Sequence, residues 1–173
     1  RQSNSNLMNK QEIEVKILEI DVAAVLARLE TLGATKIFDD EIVAEFFRNQ
    51  DGMKLRMRFM DHKTILTYKK RKLSEEVLHN EEIEVVVDDA IGLQQILLAA
   101  GFVHYGHSEK HRLSYQYQTI RFDLDTMVGI PTFVEVEGET IELVKAGVEL
   151  LGYTLEQTST LTERKLKEHY KLI

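Results

Sequence analysis

The chain has no cysteine and a single proline among its 173 residues. Without cysteine, disulfide stapling and thiolate metal sites are excluded, and redox logic gives no clue to compartment. With one proline, no proline-rich linker or low-complexity tract is present. Long apolar runs are also missing. None approaches the roughly 20 residues of a membrane span, and the opening "RQSNSNLMNK" lacks the apolar segment of a secretory signal. The default expectation is therefore a cytoplasmic enzyme with no membrane partner. Positive charge is in deficit: 22 Lys and Arg against 29 Asp and Glu give a net charge of −7. That argues against a nucleic-acid partner but leaves room for a local basic site. Residues 1–9 read as a disordered tail or an expression scar. Residues 10–173 read as one domain, for which a hydrophobic fraction of 43% supplies a core.

What the chain does have is charge in strict alternation. "EIEVK" (Glu12–Lys16) returns as "EIEVV" (Glu82–Val86 begins with the same four letters) and as "VEVEG" (Val134–Gly138). Period-two alternation marks a β-strand with one apolar and one polar face. Each acidic strand leads into an amphipathic helix closed by glycine. Asp21 precedes Val22, Val25, Leu26, Leu29 and Leu32, then Gly33. Asp88-Asp89 precedes Leu93, Ile96 and Leu97, then Gly101. Thr140 precedes Val144, Val148 and Leu151, then Gly152. Between these units the chain reads as hairpins. "NQDG" and "MDHK" are turns, Gln118-Thr119 is another, and "VGIP" separates the last two long strands. A final helix is expected from Thr160, with Thr160 and Glu163 as a capping box. The total is about eight strands and four helices, an α+β class.

The polar strand faces segregate by sign. Glu12, Glu14 and Lys16 share one face, Arg56 and Arg58 a second, Lys69 and Arg71 a third. Glu82 and Glu84, Lys110 and Arg112, Arg121, Asp123 and Asp125, and Glu135 and Glu137 supply the rest. An open sheet could show such faces to water. Solvated faces, however, usually mix in Thr, Ser and Gln and pair opposite charges across strands. The alternative is a closed eight-stranded antiparallel β-barrel with charges inside and helices packed outside. Such an interior must be wet and must bind a charged ligand, because unpaired buried charge is too costly. Basic strands would grip an anion. Paired carboxylates suit hard cations such as Mg²⁺ or Mn²⁺ that bridge to phosphate. These parts describe a polyphosphate site.

The ordered set of motifs resembles the CYTH domain, the triphosphate tunnel metalloenzymes, a family that includes class IV adenylate cyclases, thiamine triphosphatases and inorganic triphosphatases. "EIEVK" is similar to its E-x-E-x-K signature, and "LRMR", "LTYKK", "EEIEV", "KHR" and "DLDTMVGIPTFVEVEG" follow in the family's order from Lys10 onward. The resemblance implies a triphosphate tunnel, dependence on Mg²⁺ or Mn²⁺, and tripolyphosphate, thiamine triphosphate or ATP as the partner, in a monomer or homodimer. It implies that Glu12, Glu14 and Lys16 serve catalysis, and that Glu12, Glu14, Asp125, Glu135 and Glu137 hold metal. It implies that Lys16, Arg56, Arg58, Lys69, Lys110 and Arg112 hold the triphosphate. The chain departs from the family at "AEFF" (Ala44–Phe47), at His79-Asn80 and in "TLTERKLKEHY".

Both a triphosphate hydrolase and an adenylate cyclase need this cradle, and a non-catalytic polyphosphate or nucleotide sensor would not need so many carboxylates. No residues for an adenine pocket are visible, which favours the hydrolase and predicts a naked triphosphate as the better substrate. Other signals carry less. His104 faces away from His107 and His111 on a regular strand, which predicts no zinc site. Tyr105, Tyr115 and Tyr117 are expected to pack in the barrel wall, and Arg121 and Asp123 fit an ion pair as well as a site.

Overall fold

The computed structural model describes residues 10–60, 62–73 and 77–173. The expected tail at 1–9 lies outside the described residues, as do the side chains of Arg71, His79 and Asn80.

The first acidic strand is β1 (Lys10–Ile17), followed by α1 (Val22–Thr31). Then come β2 (Thr35–Arg48), β3 (Lys54–Met60), β4 (Lys63–Leu73) and β5 (Leu78–Val87). Helix α2 (Ala90–Ala99) precedes β6 (Val103–Tyr117), β7 (Ile120–Met127) and β8 (Ile130–Gly138). Helix α3 (Ile141–Leu150), the two-residue β9 (Thr158–Ser159) and α4 (Glu163–His169) complete the chain. The class is α+β, with nine antiparallel strands and four α-helices among the described residues. The ninth strand, absent from the sequence reading, is a short addition paired to Lys16 and Ile17. Such a pair is too short to show periodicity.

Each of the first three helices starts where its sequence signal stands. The Asp21 carboxylate accepts from the Ala24 amide at 3.1 Å, Asp89 from Gly92 at 2.8 Å, and the Thr140 hydroxyl from Leu143 at 3.2 Å. These bonds satisfy amides that have no partner inside the helix. Gly33 ends the first unit at φ +70°, a left-handed conformation that a Cβ would strain. The fourth helix differs from expectation. Thr162, not Thr160, is the cap, accepting from the Lys165 amide at 3.3 Å, so the helix begins at Glu163. Pro131 also sits inside β8 rather than in the turn before it.

The strands run in the order β5-β4-β3-β2-β6-β7-β8-β1-β9, and β1 pairs in addition with β5, matching Glu12 with Asn80 and Glu14 with Leu78. The apolar faces of β1, β7 and β8 pack on α1 and α3 through Val15, Ile17, Phe122, Val134, Val136, Val25 and Val148. Helix α3 approaches so closely that a Cβ on Gly147 would stand 2.6 Å from Val136 and 2.9 Å from Ile120. A second cluster sets α2 on β2 and β3 through Leu97, Phe47 and Met57. A third sets Leu166 of α4 against Met127, Ile130 and Phe133.

The centre of the opposite, charged face is withdrawn from water. Asp125 is 0% exposed, Asp123 2%, Lys16 3%, Arg112 7% and Glu14 8%. On β1 and β7 the side chains of Glu14, Lys16, Asp123 and Asp125 are thus buried like the apolar ones opposite, so these charges are not displayed to water.

Candidate active site

Alternation in β1, β3, β4, β6, β7 and β8 sends every charged residue of interest to one side of the sheet. There Lys16, Lys69, Lys110, Arg112 and Arg121 form a connected ion-pair network with Glu14, Glu82, Asp123, Asp125 and Glu135. Lys16 lies 3.0 Å from Glu135 and 3.7 Å from Glu14. Arg112 is the centre. Its Nε and Nη2 each donate to Asp125 at 2.6 Å, Nη1 donates to Asp123 at 2.5 Å, and Nη2 donates also to Glu135 at 2.6 Å. Lys110 donates to Asp125 at 2.6 Å, and Arg121 to Asp123 at 2.8 Å, an ion pair being one of the two readings that the sequence leaves open for those residues. On the other flank Lys69 stands 2.5 Å from Glu82 and 3.8 Å from Glu14, joining the two halves. Arg58 bonds Glu84, which also accepts from the Thr67 hydroxyl at 2.8 Å. Glu137 faces Glu14 across β1–β8 and Arg121 across β7–β8, and Glu12 lies one step further along β1.

The electrostatics follow from this packing. Burial works against the Lys16 ammonium, but Glu135 and Glu14 more than offset it and raise its pKa above the ordinary value. Burial likewise opposes the Arg112 charge, and Asp125, Asp123 and Glu135 hold it in place. Glu135 would be pushed up by burial, yet Lys16, Arg112 and Lys110 bring it well below the usual carboxylate range. Arg58 goes the other way. Burial, then the neighbouring Arg56 guanidinium, push it down to about 10.

The two arginines of β3 differ from Arg112 in a telling respect. Arg112 uses four donor contacts on carboxylates, whereas the Nε groups of Arg56 and Arg58 are buried with no partner. A buried donor without a partner carries an unmet desolvation penalty. Both arginines line a pocket with Lys110 and Arg112. Of the rest of its lining, Ala44, Phe46 and Glu163 fall in the stretches that depart from the family's pattern, while Ile42 and Ser108 carry no motif signal. Ile42, Ala44 and Phe46 enter from β2, Ser108 from β6 and Glu163 from α4. Alternation in "IVAEFF" could have flagged the first three, had an uncharged face been considered as a site wall. Nothing local distinguishes Glu163 from an ordinary first-turn acid.

The carboxylates offer only hard oxygen donors, which fit Mg²⁺ or Mn²⁺ in kind. Among the described residues no three His, Asp or Glu side chains converge on a common cation position. The physical reason is the network itself, in which Asp125, Glu135 and Glu14 are turned to lysine and arginine.

The histidines depart from expectation. A bulge skips Tyr105, so that Phe46 pairs with Gly106 and Phe47 with His104. The skipped residue reverses the parity, and His104 and His107 both contact the Glu45 carboxylate, His107 at 2.7 Å. His107 also meets Glu109 at 2.9 Å, and these partners raise its pKa. Tyr115 and Tyr117 pack on the main core as expected, but Tyr105 is exposed beside Phe46, ring centroids 6.1 Å apart.

Comparison with known proteins gives the same direction. The chain is 31% identical over 133 residues to the "Putative adenylate cyclase MJ0240" of Methanocaldococcus jannaschii, covering 73% of this chain and 75% of that protein. In fold it is similar to the PH1012 protein of Pyrococcus horikoshii OT3, with a TM-score of 0.77, 24% identity, and 90% and 98% of the two chains covered. It is also similar to a "Putative adenylyl cyclase" from Hippeastrum described as having a dominant triphosphatase activity, with a TM-score of 0.65, 23% identity, and 94% and 97% covered. Residues 10–167 match the CYTH domain, and the chain is a member of that family.

Proposed function

We propose that the protein is a Mg²⁺- or Mn²⁺-dependent enzyme that hydrolyses triphosphates to diphosphate and phosphate inside a tunnel of eight strands. The observation that carries this is the pair of buried, unpartnered arginine Nε groups beside a dense carboxylate network. The second pairing of β1, to β5 at the far end of the strand order, supports a closed wall around that interior.

The residues divide by role. Arg56 and Arg58 present donors that match phosphate oxygens, and Lys16, Lys69, Lys110 and Arg112 add positive charge around them. As water attacks the terminal phosphorus, its bond to the bridging oxygen breaks, and these cations stabilise the charge that gathers on the phosphoryl and leaving oxygens. Glu12, Glu14, Asp125, Glu135 and Glu137 would hold the metal, which when bound supplies further charge neutralisation at the phosphates. Release of the lysine and arginine partners to phosphate leaves these carboxylates available. The attacking water gives up its proton to solvent or to one of these carboxylates.

A second reading is an adenylate cyclase, favoured by the name of the 31% identical relative. There the ribose 3′-hydroxyl attacks the α-phosphorus and pyrophosphate leaves. Chromatography of the products from tripolyphosphate and from ATP, with Mg²⁺ and with Mn²⁺, tests the choice. Diphosphate plus phosphate, and ADP plus phosphate, are expected. Cyclic AMP with pyrophosphate would replace the hydrolase by the cyclase, and no turnover of either would leave a sensor.

The cradle has its own test. Arg58→Ala is expected to weaken tripolyphosphate binding about tenfold or more in calorimetric titration. The melting temperature should hold within a few degrees, because the variant loses a pair to the exposed Glu84 but also loses repulsion from Arg56. Unchanged affinity would remove Arg58 from the anion site.

A further inference from the structure

Helix α2 lacks the charged outer face that the other helices have. Helix α1 shows Arg28 and Glu30 to water, α3 shows Glu142, Lys145 and Glu149, and α4 shows Arg164, Lys165 and Glu168. The ten residues of α2, "AIGLQQILLA", contain no charge. Their inner side, Ala90, Leu93 and Leu97, packs on the sheet. The rest stays open: Ile91, Ile96 and Leu98 are 72%, 64% and 51% exposed. A helix that is apolar all round belongs in an interior, covered on more than one side.

The sheet beside it is short of cover in a matching way. Helices α1 and α3 share the outer faces of β1, β7 and β8. Helix α2 covers β2, β3 and part of β4, in a cluster with Phe47, Met57 and Leu66. Strand β5 continues that outer face, pairing Val85 with Leu66 and Ile83 with Tyr68. Val85 and Ile83 are exposed. Lys70 and Glu81, also paired across β4 and β5, bound the strip at one end with both signs of charge.

Each copy thus has an apolar helix with too little sheet against it, and an apolar strip of sheet with no helix on it. A second copy supplies both. We infer that the protein is a homodimer in which α2 of each copy lies on the outer β4–β5 face of the other, about a two-fold axis. Charge also selects a like partner for this surface. With a net charge of −7, two copies repel at most approaches, and the α2 face brings no carboxylate against its own copy. The area is of the right size. Ile83, Val85, Ile91, Ile96 and Leu98 expose on the order of 500 Å², toward the upper end for a monomer's largest patch. Gln94, Gln95 and the small residues between them extend it toward the ~800 Å² per partner of a stable interface. Lys69 and Glu82 project from the opposite faces of β4 and β5, so the inference stands apart from the reading of the pocket.

Sedimentation velocity of the full chain tests it. At about 10 μM the parent is expected at the mass of two 20.0 kDa chains. Ile96→Glu on the helix and Val85→Glu on the strand should each weaken dimerisation about a hundredfold or more, because the two-fold axis places two unpaired charges in one interface. Both positions are exposed in the single chain, so a cooperative circular-dichroism melt should persist in the variants. The parent's melting temperature should rise with protein concentration, and those of the two variants should not. Lys145→Glu, on the charged face of α3, is the control and should stay dimeric. A parent that sediments as a monomer at about 100 μM overturns the inference and leaves the face to a different partner. A dimer that Ile96→Glu breaks and Val85→Glu does not overturns the docking of helix on sheet.

Discussion

Turnover of a triphosphate is expected to fall at least about a hundredfold in Glu137→Gln, and to vanish when EDTA is added to the parent. Glu137 is half-buried on the charged face of β8, opposite Glu14 on one side and Arg121 on the other. The substitution keeps shape and volume but removes the charge that a divalent cation held there would require. Because Glu137 is not at the crowded centre of the network, the fold should survive, and a circular-dichroism melt provides the control. Full activity in EDTA would sink metal dependence. An unimpaired Glu137→Gln enzyme in an EDTA-sensitive parent would exclude this residue alone.

Arg112→Ala is expected to cost about 3–5 kcal/mol of stability, the usual range when one member of a buried ionic cluster is removed and its partners remain. The guanidinium holds Asp123, Asp125 and Glu135 together, and two of those carboxylates are almost wholly buried. Urea unfolding at neutral pH gives the measurement, and a loss below about 1 kcal/mol would show that other cations carry the cluster. The pH dependence has a definite sign. Glu135 is held below the usual carboxylate range in the folded protein. Its contribution is therefore fully present above the unfolded value of about 4.3 and is lost as pH falls through the lower folded value. In Arg112→Ala, Glu135 loses one of its cations, its folded pKa rises, and acid destabilisation begins at higher pH than in the parent.

Much of this arrangement is legible in the chain before folding, because it depends on period. Alternation assigns Glu14, Lys16, Arg56, Arg112 and Asp125 to the charged side, and short-range chemistry places the caps at Asp21, Asp89 and Thr140. What alternation cannot give is which charge meets which. That Arg112 rather than Arg56 collects the carboxylates depends on register across β6, β7 and β8, fixed by pairings far apart in sequence. The skipped Tyr105 is invisible for the same reason, and with it the meeting of His104 and His107 on Glu45. Phe46 and Glu163 fall in stretches marked only as departures from the family's pattern, and neither shows its place in the pocket. Each has an ordinary local explanation, a strand apolar residue and a first-turn acid, and only the packing of α4 on Phe133 and Met127 brings Glu163 to the pocket.

The self-neutralised network also constrains how ligands enter. Lys16, Lys110 and Arg112 already have counter-ions, supplied by the chain itself. At these three cations a polyanion would therefore enter by exchange, displacing bound carboxylates, whereas at Arg56 and Arg58 it would meet unfilled Nε donors. The displaced carboxylates are left with negative charge in want of a cation. Anion and cation uptake are then thermodynamically linked, each raising the affinity for the other by the same factor.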